Sequence, residues 1–180
     1  MKREIYEKAR KRALEYYEKA HIVLTEGEKE NVEVADFGLN ELDATGLELV
    51  TYVNTDRVCA KEMVVFPGQT CPEHTHAPFG NYMGKEEVFR CRYGLVYLYV
   101  SGEPCAHPKA QPPASSKQYY TAFHEIILTP GEEYVIHPNT KHWFQGGPKG
   151  AIVSEFSTTS YDEHDVFTDP NINRIPSIEE

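Results

Sequence analysis

Apolar residues follow one period at the start of the chain and another after it. In the first twenty positions the less polar residues recur three or four places apart: Ile5, Ala9, Ala13, Tyr16 and Ala20. Charged residues fill most of the positions between them. This period is typical of an amphipathic helix, which buries one stripe against the rest of a protein. We therefore predict a helix within residues 1–22, packed across the outside of a sheet.

From about residue 30 the apolar residues occur in short runs rich in Val, Ile, Tyr and Phe, separated by Gly, Pro and Asn. The runs predicted as strands are Val32–Phe37, Leu47–Asn54, Val58–Phe66, Val88–Cys91, Leu95–Val100, Glu125–Leu128, Tyr134–His137 and Ala151–Ser157. Many short strands divided by turn residues favour a β-sandwich or barrel. We predict an all-β fold with a barrel over 30–160, a proline-rich loop over 101–118 and a polar tail over 161–180.

Length, charge and hydropathy indicate the number of domains and exclude some partners, but they do not indicate an activity. The chain has 180 residues, which suits one domain, 1–180. Its net charge of −10 argues against a nucleic-acid partner. No run approaches the roughly 18 apolar residues of a membrane span, and the N-terminus lacks the apolar core of a signal peptide. We therefore predict no membrane partner and a cytoplasmic location.

Three histidines and a glutamate have the spacing of a metal site. His74 and His76 are two residues apart, so they project to the same side of a strand. Glu87 adds a carboxylate on the next strand, and His142 adds a third imidazole after a Pro-Asn turn. Such a set leaves coordination positions open and suits Mn²⁺, Fe²⁺, Co²⁺, Ni²⁺ or Zn²⁺. An HxH pair alone is weak, because most such pairs are surface or core histidines.

These four residues occur in a pattern that resembles the cupin motifs. The first cupin motif is filled in two parts: Gly68 is followed after five residues by the HxH pair, and Glu87 is followed after six residues by Gly94. We expect both glycines to lie where the chain reverses, because glycine tolerates positive φ. The gap between His76 and Glu87 is longer than in the simple motif. In the second motif Pro138 stands one place late, and Asn139 or Thr140 takes the glycine position. The resemblance implies a jelly-roll-like barrel with the four residues as metal ligands.

A closer resemblance covers most of the chain, from about Glu33 to Arg174. The stretches LVTYVNTDRVCAKEMVVFPGQTCPEHTH, GKEEVFRCRYG and HPNTKHWFQGG are similar to the cupin-type D-lyxose isomerases, in which the long gap before the glutamate is normal. The resemblance implies interconversion of D-lyxose and D-xylulose, with D-mannose and D-fructose as a second pair. It also implies Mn²⁺ as the usual metal, a small neutral sugar as partner, and a homodimer.

Five further residues are candidates for catalysis or sugar binding. Glu155 and Lys61 interrupt apolar strands, where a charged side chain is out of place unless it points inward, so we predict catalytic roles for them. Lys85, Tyr82 and Trp143 flank the metal ligands and are predicted to contact sugar. Proton transfer through a cis-enediol and direct hydride transfer both fit these residues.

Three other functions fit the same ligand set. An Fe²⁺-dependent dioxygenase uses three histidines and a glutamate. A phosphosugar isomerase needs several cationic side chains converging on a phosphate, and few lie near the motifs. A non-catalytic sugar-binding cupin is usually joined to a DNA-binding domain. The sequence contains no segment with the pattern of a helix-turn-helix, which argues against this function.

Overall fold

The computed structural model describes residues 1–175 and 177–179, which form two α-helices, nine β-strands and two short 3-10 helices, Lys117–Tyr119 and Asp162–His164. The helices are α1 (Arg3–Lys19) and α2 (Glu26–Glu30). The strands are β1 (Glu33–Ala35), β2 (Leu47–Asn54), β3 (Cys59–Val65), β4 (Thr70–Thr75), β5 (Glu87–Val100), β6 (His124–Leu128), β7 (Glu133–Ile136), β8 (His142–Ser157) and β9 (Val166–Phe167). Within these residues no helix is long and apolar enough to cross a membrane.

The long strands β5 and β8 organise a single antiparallel sheet that curls on itself. They pair along nearly their whole length, from Glu87 opposite Ser157 to Val100 opposite His142. On its other edge β8 pairs first with β4 and then with β3, while β5 pairs with β7 and β6. Because β8 joins both halves, residues from β3, β4, β5 and β8 face one interior.

Alternation along the strands separates two apolar layers. Met63, Val65, Phe89, Leu98 and Val153 point into the interior and form its core. The opposite face of β2, β3 and β8 packs against buried residues of α1. The amphipathic helix predicted at the N-terminus is thus confirmed as a packing element on the outside of the sheet, and so is the all-β barrel class.

Some predicted elements differ from the structure. The segments predicted at 88–91 and 95–100 form one strand, β5, with irregular register near Gly94. Gly94 therefore does not reverse the chain: it lies in the strand with φ of 72°, where an added Cβ would meet the carbonyl oxygen of Gly150 at 1.9 Å. Gly68, also at φ 72°, does lie in the turn between β3 and β4, and Asn139, at φ 60°, takes the glycine position of the second motif.

The C-terminal residues are more ordered than the predicted polar tail. The segment from 161 contains β9, which pairs with β4 through Phe167 opposite His74. Pro176 and Glu180, part of the tail predicted over 161–180, lie outside the described residues. The returning segment therefore lies against the strand that carries the first histidines.

A buried carboxyl between the sheet and α1 gives a prediction about stability. Glu48 of β2 is fully buried; Gln69 Nε2 donates a hydrogen bond to Oε1 at 3.1 Å, and Oε2 has no partner among the described residues. Burial raises the pKa of Glu48 to about 8. The folded protein therefore holds a proton that the unfolded chain releases near pH 4.5, and stability falls as pH rises from about 4.5 to 8.

Glu48→Gln is expected to remove this loss of stability. Wild type should lose roughly 4 kcal/mol of unfolding free energy relative to the variant between pH 5 and 9, because a shift of one pKa unit corresponds to about 1.4 kcal/mol. Urea unfolding of both proteins across this range measures the difference. Parallel curves for wild type and variant would contradict the prediction.

Candidate metal centre

The three histidines converge because of how β4 pairs with β8. His74 lies directly opposite His142 in the register of the two strands. A register shift between Cys71 and His74 places one extra residue in β4. The side chains of Cys71 and His74 therefore both face the interior, although the two residues are three positions apart. His76 follows one residue after β4 and faces the same interior.

Each imidazole is oriented by a hydrogen bond at its Nδ1 atom. His74 Nδ1 lies 2.8 Å from the Pro72 carbonyl oxygen, and His142 Nδ1 lies 3.0 Å from that of Thr140. A carbonyl oxygen only accepts, so both Nδ1 atoms donate and both Nε2 atoms carry the lone pair. His76 Nδ1 lies 2.5 Å from Asp165 Oδ1. Potential ligand atoms of the three rings lie within 4.8 Å of one another.

Glu87 brings a carboxylate to the same point. Its Oε2 lies 3.2 Å from His76 Nε2 and 3.3 Å from His142 Nε2. These three atoms are buried and have no hydrogen-bond partner among the described residues. A metal ion about 2.1 Å from two ligands at a right angle separates those ligands by about 3 Å. The donor set therefore fits a divalent metal, which would satisfy all three buried atoms.

Burial and charge set the protonation of these groups. Burial lowers the pKa of His74 and of His142, which favours the neutral form that a metal requires. Burial also opposes the charged form of His76, but the carboxylates of Glu87 and Asp165 outweigh it and raise the pKa of His76 to about 9. Burial alone would raise the pKa of Glu87; His76 and Lys85 instead hold it well below its usual value.

Lys85 links this centre to Glu155. Its Nζ lies 2.7 Å from Glu87 Oε1 and 2.9 Å from Glu155 Oε1, and all three side chains are buried. Burial disfavours the ammonium, but Glu155 and Glu87 outweigh it and raise the pKa of Lys85 well above its usual value. Glu155 also accepts a hydrogen bond from Ser157 Oγ at 2.9 Å.

Lys61 also points into the interior, one strand away from Glu155. The two residues are register partners on β3 and β8. Lys61 Nζ donates to Ser160 Oγ at 3.0 Å and to Asp162 Oδ1 at 2.9 Å. Strand alternation alone left the direction of Lys61 undecided, and the structure places it inward with Met63 and Val65.

The C-terminal segment supplies site residues that the sequence reasoning missed. Asp165 orients His76, and Asp162 accepts hydrogen bonds from Lys61 and from Arg174 Nη2, the latter at 2.7 Å. Arg174 also pairs with Glu33 of β1 at 2.5 Å. The carboxylate-rich run from Tyr161 lies in the segment predicted as a polar tail, and its composition alone does not distinguish residues of a site from a solvated loop.

The interior cavity beside the ligands is small, about 30 Å³. Its polar lining comprises Lys61, His74, His76, Lys85, Glu87, Glu155, Asp162, Asp165 and Arg174. This volume holds one or two waters. Asp162, Asp165 and Arg174 of this lining all come from the C-terminal segment.

The aromatic residues near the ligands occupy different places from those predicted. Trp143 is fully buried on the opposite side of β8, stacked on Tyr99 with ring centroids 4.1 Å apart, and its Nε1 donates to the Ala122 carbonyl. This placement argues against the sugar contact predicted for Trp143. Phe144, the next residue, lines the cavity instead. Tyr82 lies in a neighbouring pocket with His76 and Lys85, and its hydroxyl donates to the Thr159 carbonyl at 2.7 Å.

Comparison with known proteins identifies the family of this chain. A family model described as D-lyxose isomerase matches residues 18–180. The D-lyxose ketol-isomerase of Cohnella laeviribosi is 63% identical over 174 residues, covering 97% of this chain and 96% of the relative. The D-lyxose/D-mannose isomerase of Thermosediminibacter oceani is 59% identical over 180 residues, covering 100% and 99%.

Solved structures agree on the fold. The L-ribose isomerase of Acinetobacter sp. DL28, in complex with L-ribose, superposes with a TM-score of 0.79 at 18% identity, covering 99% of this chain and 98% of that one. At this identity the likeness shows a shared cupin-like architecture. The family model and the close relatives carry the functional assignment: the chain is an aldose–ketose isomerase and belongs to the D-lyxose isomerase family.

Proposed function

We propose that the chain, as one cupin domain over residues 1–180, interconverts D-lyxose and D-xylulose with a bound divalent metal, and D-mannose and D-fructose as a second pair. The observation that carries this proposal is the set of buried, unpartnered Nε2 and Oε2 atoms beside the Lys85–Glu155 ion pair. A metal that polarises the carbonyl, beside a charged proton-transfer group, is an arrangement suited to aldose–ketose isomerisation. The names of the close relatives support the choice of sugars.

In this proposal His74, His76, Glu87 and His142 hold the metal, which is Mn²⁺; Co²⁺, Ni²⁺, Zn²⁺ and Fe²⁺ fit the same donors. When bound, the metal would polarise the sugar carbonyl and stabilise developing negative charge on oxygen. Asp165 holds the ring of His76 in place through its 2.5 Å contact with Nδ1. Such carboxylate–histidine pairs fix the direction of the ligand nitrogen.

Glu155 is the proposed general base. Its carboxylate removes the proton from C2 of the aldose as the carbonyl oxygen O1 takes up a proton, which gives a cis-enediol. The carboxylate then returns the proton to C1 as the O2 hydroxyl loses its own proton, which forms the ketose carbonyl. Lys85 holds the Glu155 carboxylate in position through the 2.9 Å contact and donates toward a sugar oxygen. Lys61, paired with Asp162, lies beside Glu155 and fixes the far side of the sugar, while Tyr82 borders the entrance.

The charges in the cavity favour a neutral sugar over a phosphosugar. Lys61, Lys85 and Arg174 are the cationic side chains that line it, and each is paired with a carboxylate: Asp162, Glu155 and Glu33 respectively. A phosphate site needs cations free to contact the phosphate oxygens. The proposal also includes the homodimer that the family resemblance implies and the cytoplasmic location predicted from the sequence.

A coupled assay of D-lyxose conversion tests the proposal. Protein stripped with EDTA should be inactive, Mn²⁺ should restore turnover without O₂, and kcat/KM should be higher for D-lyxose than for D-mannose. D-mannose 6-phosphate serves as the charged control and should not be turned over, because the cavity cations are already paired. Full activity of the metal-free protein, or preference for the phosphosugar, would contradict the proposal.

A further inference from the structure

After β8 the chain crosses the start of a neighbouring strand. β8 ends at Ser157, which is the register partner of Cys59 in β3. On its other edge Cys59 pairs with Asn54, the last residue of β2. Three positions beyond Ser157, the backbone of Ser160 is hydrogen-bonded to the side chain of Asn54. Residues 158–160 therefore pass over the start of β3 and begin the C-terminal segment that lines the cavity.

The side-chain amide of Asn54 holds Ser160 at two points. Asn54 Nδ2 donates a hydrogen bond to the Ser160 carbonyl oxygen at 2.9 Å, and Asn54 Oδ1 accepts one from the Ser160 N–H at 3.1 Å. The amide thus satisfies both backbone polar groups of Ser160, as a neighbouring strand would. Glu86 and Tyr82, from the segment before β5, hold residues 158–159. The position of Ser160 is therefore set by a residue that lies 106 positions away along the chain.

The hydroxyl of Ser160 lies between two buried lysines. Ser160 is 7% exposed. Its Oγ accepts hydrogen bonds from Lys61 Nζ at 3.0 Å and from Lys85 Nζ at 3.5 Å, and it donates one to Asp162 Oδ1. A hydroxyl has one hydrogen and two lone pairs, so these three contacts use its whole hydrogen-bonding capacity. The direction of the hydroxyl is therefore fixed, and it links the two ammonium groups.

Both lysines are neighbours of Glu155, the proposed general base. Lys61 is the register partner of Glu155 on β3. Lys85 Nζ lies 2.9 Å from Glu155 Oε1 and 2.7 Å from Glu87 Oε1, so its third N–H is directed at Ser160 Oγ. That N–H is the one left to contact a sugar oxygen. A displaced Ser160 would therefore change the direction of this donor and the spacing of the two ammonium groups beside the base.

We propose that Asn54 is a positioning residue for the isomerisation, which holds the Ser160 hydroxyl between Lys61 and Lys85 through its two hydrogen bonds to the Ser160 backbone. The inference rests on the proposed function, in which Glu155 is the base and the two lysines contact the sugar. Asn54 is exposed at the end of β2, so it acts through Ser160 and not through contact with the substrate.

Steady-state kinetics of the Mn²⁺-loaded Asn54→Ala variant with D-lyxose test this role. We expect kcat and kcat/KM to fall equally, by about 10-fold, because the lost hydrogen bonds position groups that act in the transition state. KM and metal content should stay at their wild-type values. Asn31→Ala is the matched control: Asn31 Nδ2 donates to the Gly27 carbonyl at 2.7 Å at the exposed end of α2, so this variant loses an amide hydrogen bond away from the cavity and should match wild type.

A double-mutant cycle adds a readout that a general loss of stability does not produce. Ser160→Ala should lower kcat at least as much as Asn54→Ala does. Asn54→Ala added to Ser160→Ala should cause no further loss, because the hydroxyl that it positions is already gone, whereas independent effects multiply. All rates are measured below the melting transition of each variant.

The outcomes separate this inference from the proposed function. A wild-type kcat in Asn54→Ala, losses that multiply in the double variant, or a loss of Mn²⁺ from Asn54→Ala would each overturn the role of Asn54 and leave the isomerase assignment intact. Failure of the proposed function appears instead in proteins that keep Asn54, as activity of the EDTA-stripped wild type or an unchanged kcat in Glu155→Gln.

Discussion

His142→Ala is expected to abolish metal binding and to reduce metal-dependent turnover at least ~10³-fold. His142 is fully buried, and its Nε2 lies 3.3 Å from Glu87 Oε2 with no other partner among the described residues. Removing the imidazole leaves His74, His76 and Glu87 with a gap on the β8 side. Replacement by Ala also leaves the ring space empty, so the metal would lose both a ligand and the wall that positions the others.

Metal content of the purified variant measures this effect separately from activity. His107→Ala provides the matched control, because His107 is exposed and lies in the loop after β5. The control should keep its metal and its rate. A His142→Ala protein that is folded, binds Mn²⁺ with wild-type affinity and turns over normally would remove His142 from the site.

Glu155→Gln is expected to lower kcat by about 10²–10⁴-fold while the metal remains bound. The amide keeps the size of the carboxylate and can still contact Lys85, but it cannot accept a proton from the sugar. Because Glu155 is not a proposed metal ligand, metal content should not change. The variant therefore separates proton transfer from metal binding.

Deuterium exchange adds a test of the route. In D₂O the wild type should incorporate solvent deuterium at C1 of the ketose, because a proton held by Glu155 exchanges with solvent. Glu103→Gln, an exposed carboxylate in the 101–118 loop, serves as control and should match wild type. Product without deuterium would favour hydride transfer, and an unchanged kcat in Glu155→Gln would place the base elsewhere.

The helix α1 and the strand β2 could be predicted from the sequence, because the spacing of apolar residues that indicates each of them involves only neighbouring positions. The stripe of Ala9, Ala13 and Tyr16 indicated a helix, and these residues are buried in α1. The limits predicted for β2 match the structure, since Gly, Asn and Asp residues bound it on either side. The sequence does not predict that two apolar runs join into β5. Glycine is common in turns, but Gly94 lies at an irregularity within a strand that pairs with β8 on both sides of it.

The placement of Trp143 follows the alternation of side chains along β8. If His142 faces the interior, the next residue must face away and Phe144 must face inward again. The structure follows that alternation. In β4 the same rule fails, because the register shift after Cys71 changes which residues face inward.

The sequence by itself determined the strand-rich fold, the outer helix and, through its motifs, the three histidines and Glu87 that now lie around one point. Only the tertiary structure decided that Lys61 and Glu155 face inward and that Asp162, Asp165 and Arg174 return to the site from the C-terminal segment. The physical reason is distance along the chain. Helix and strand periods arise between neighbouring residues, whereas the Asp165 contact to His76 joins positions 89 residues apart and leaves no local pattern.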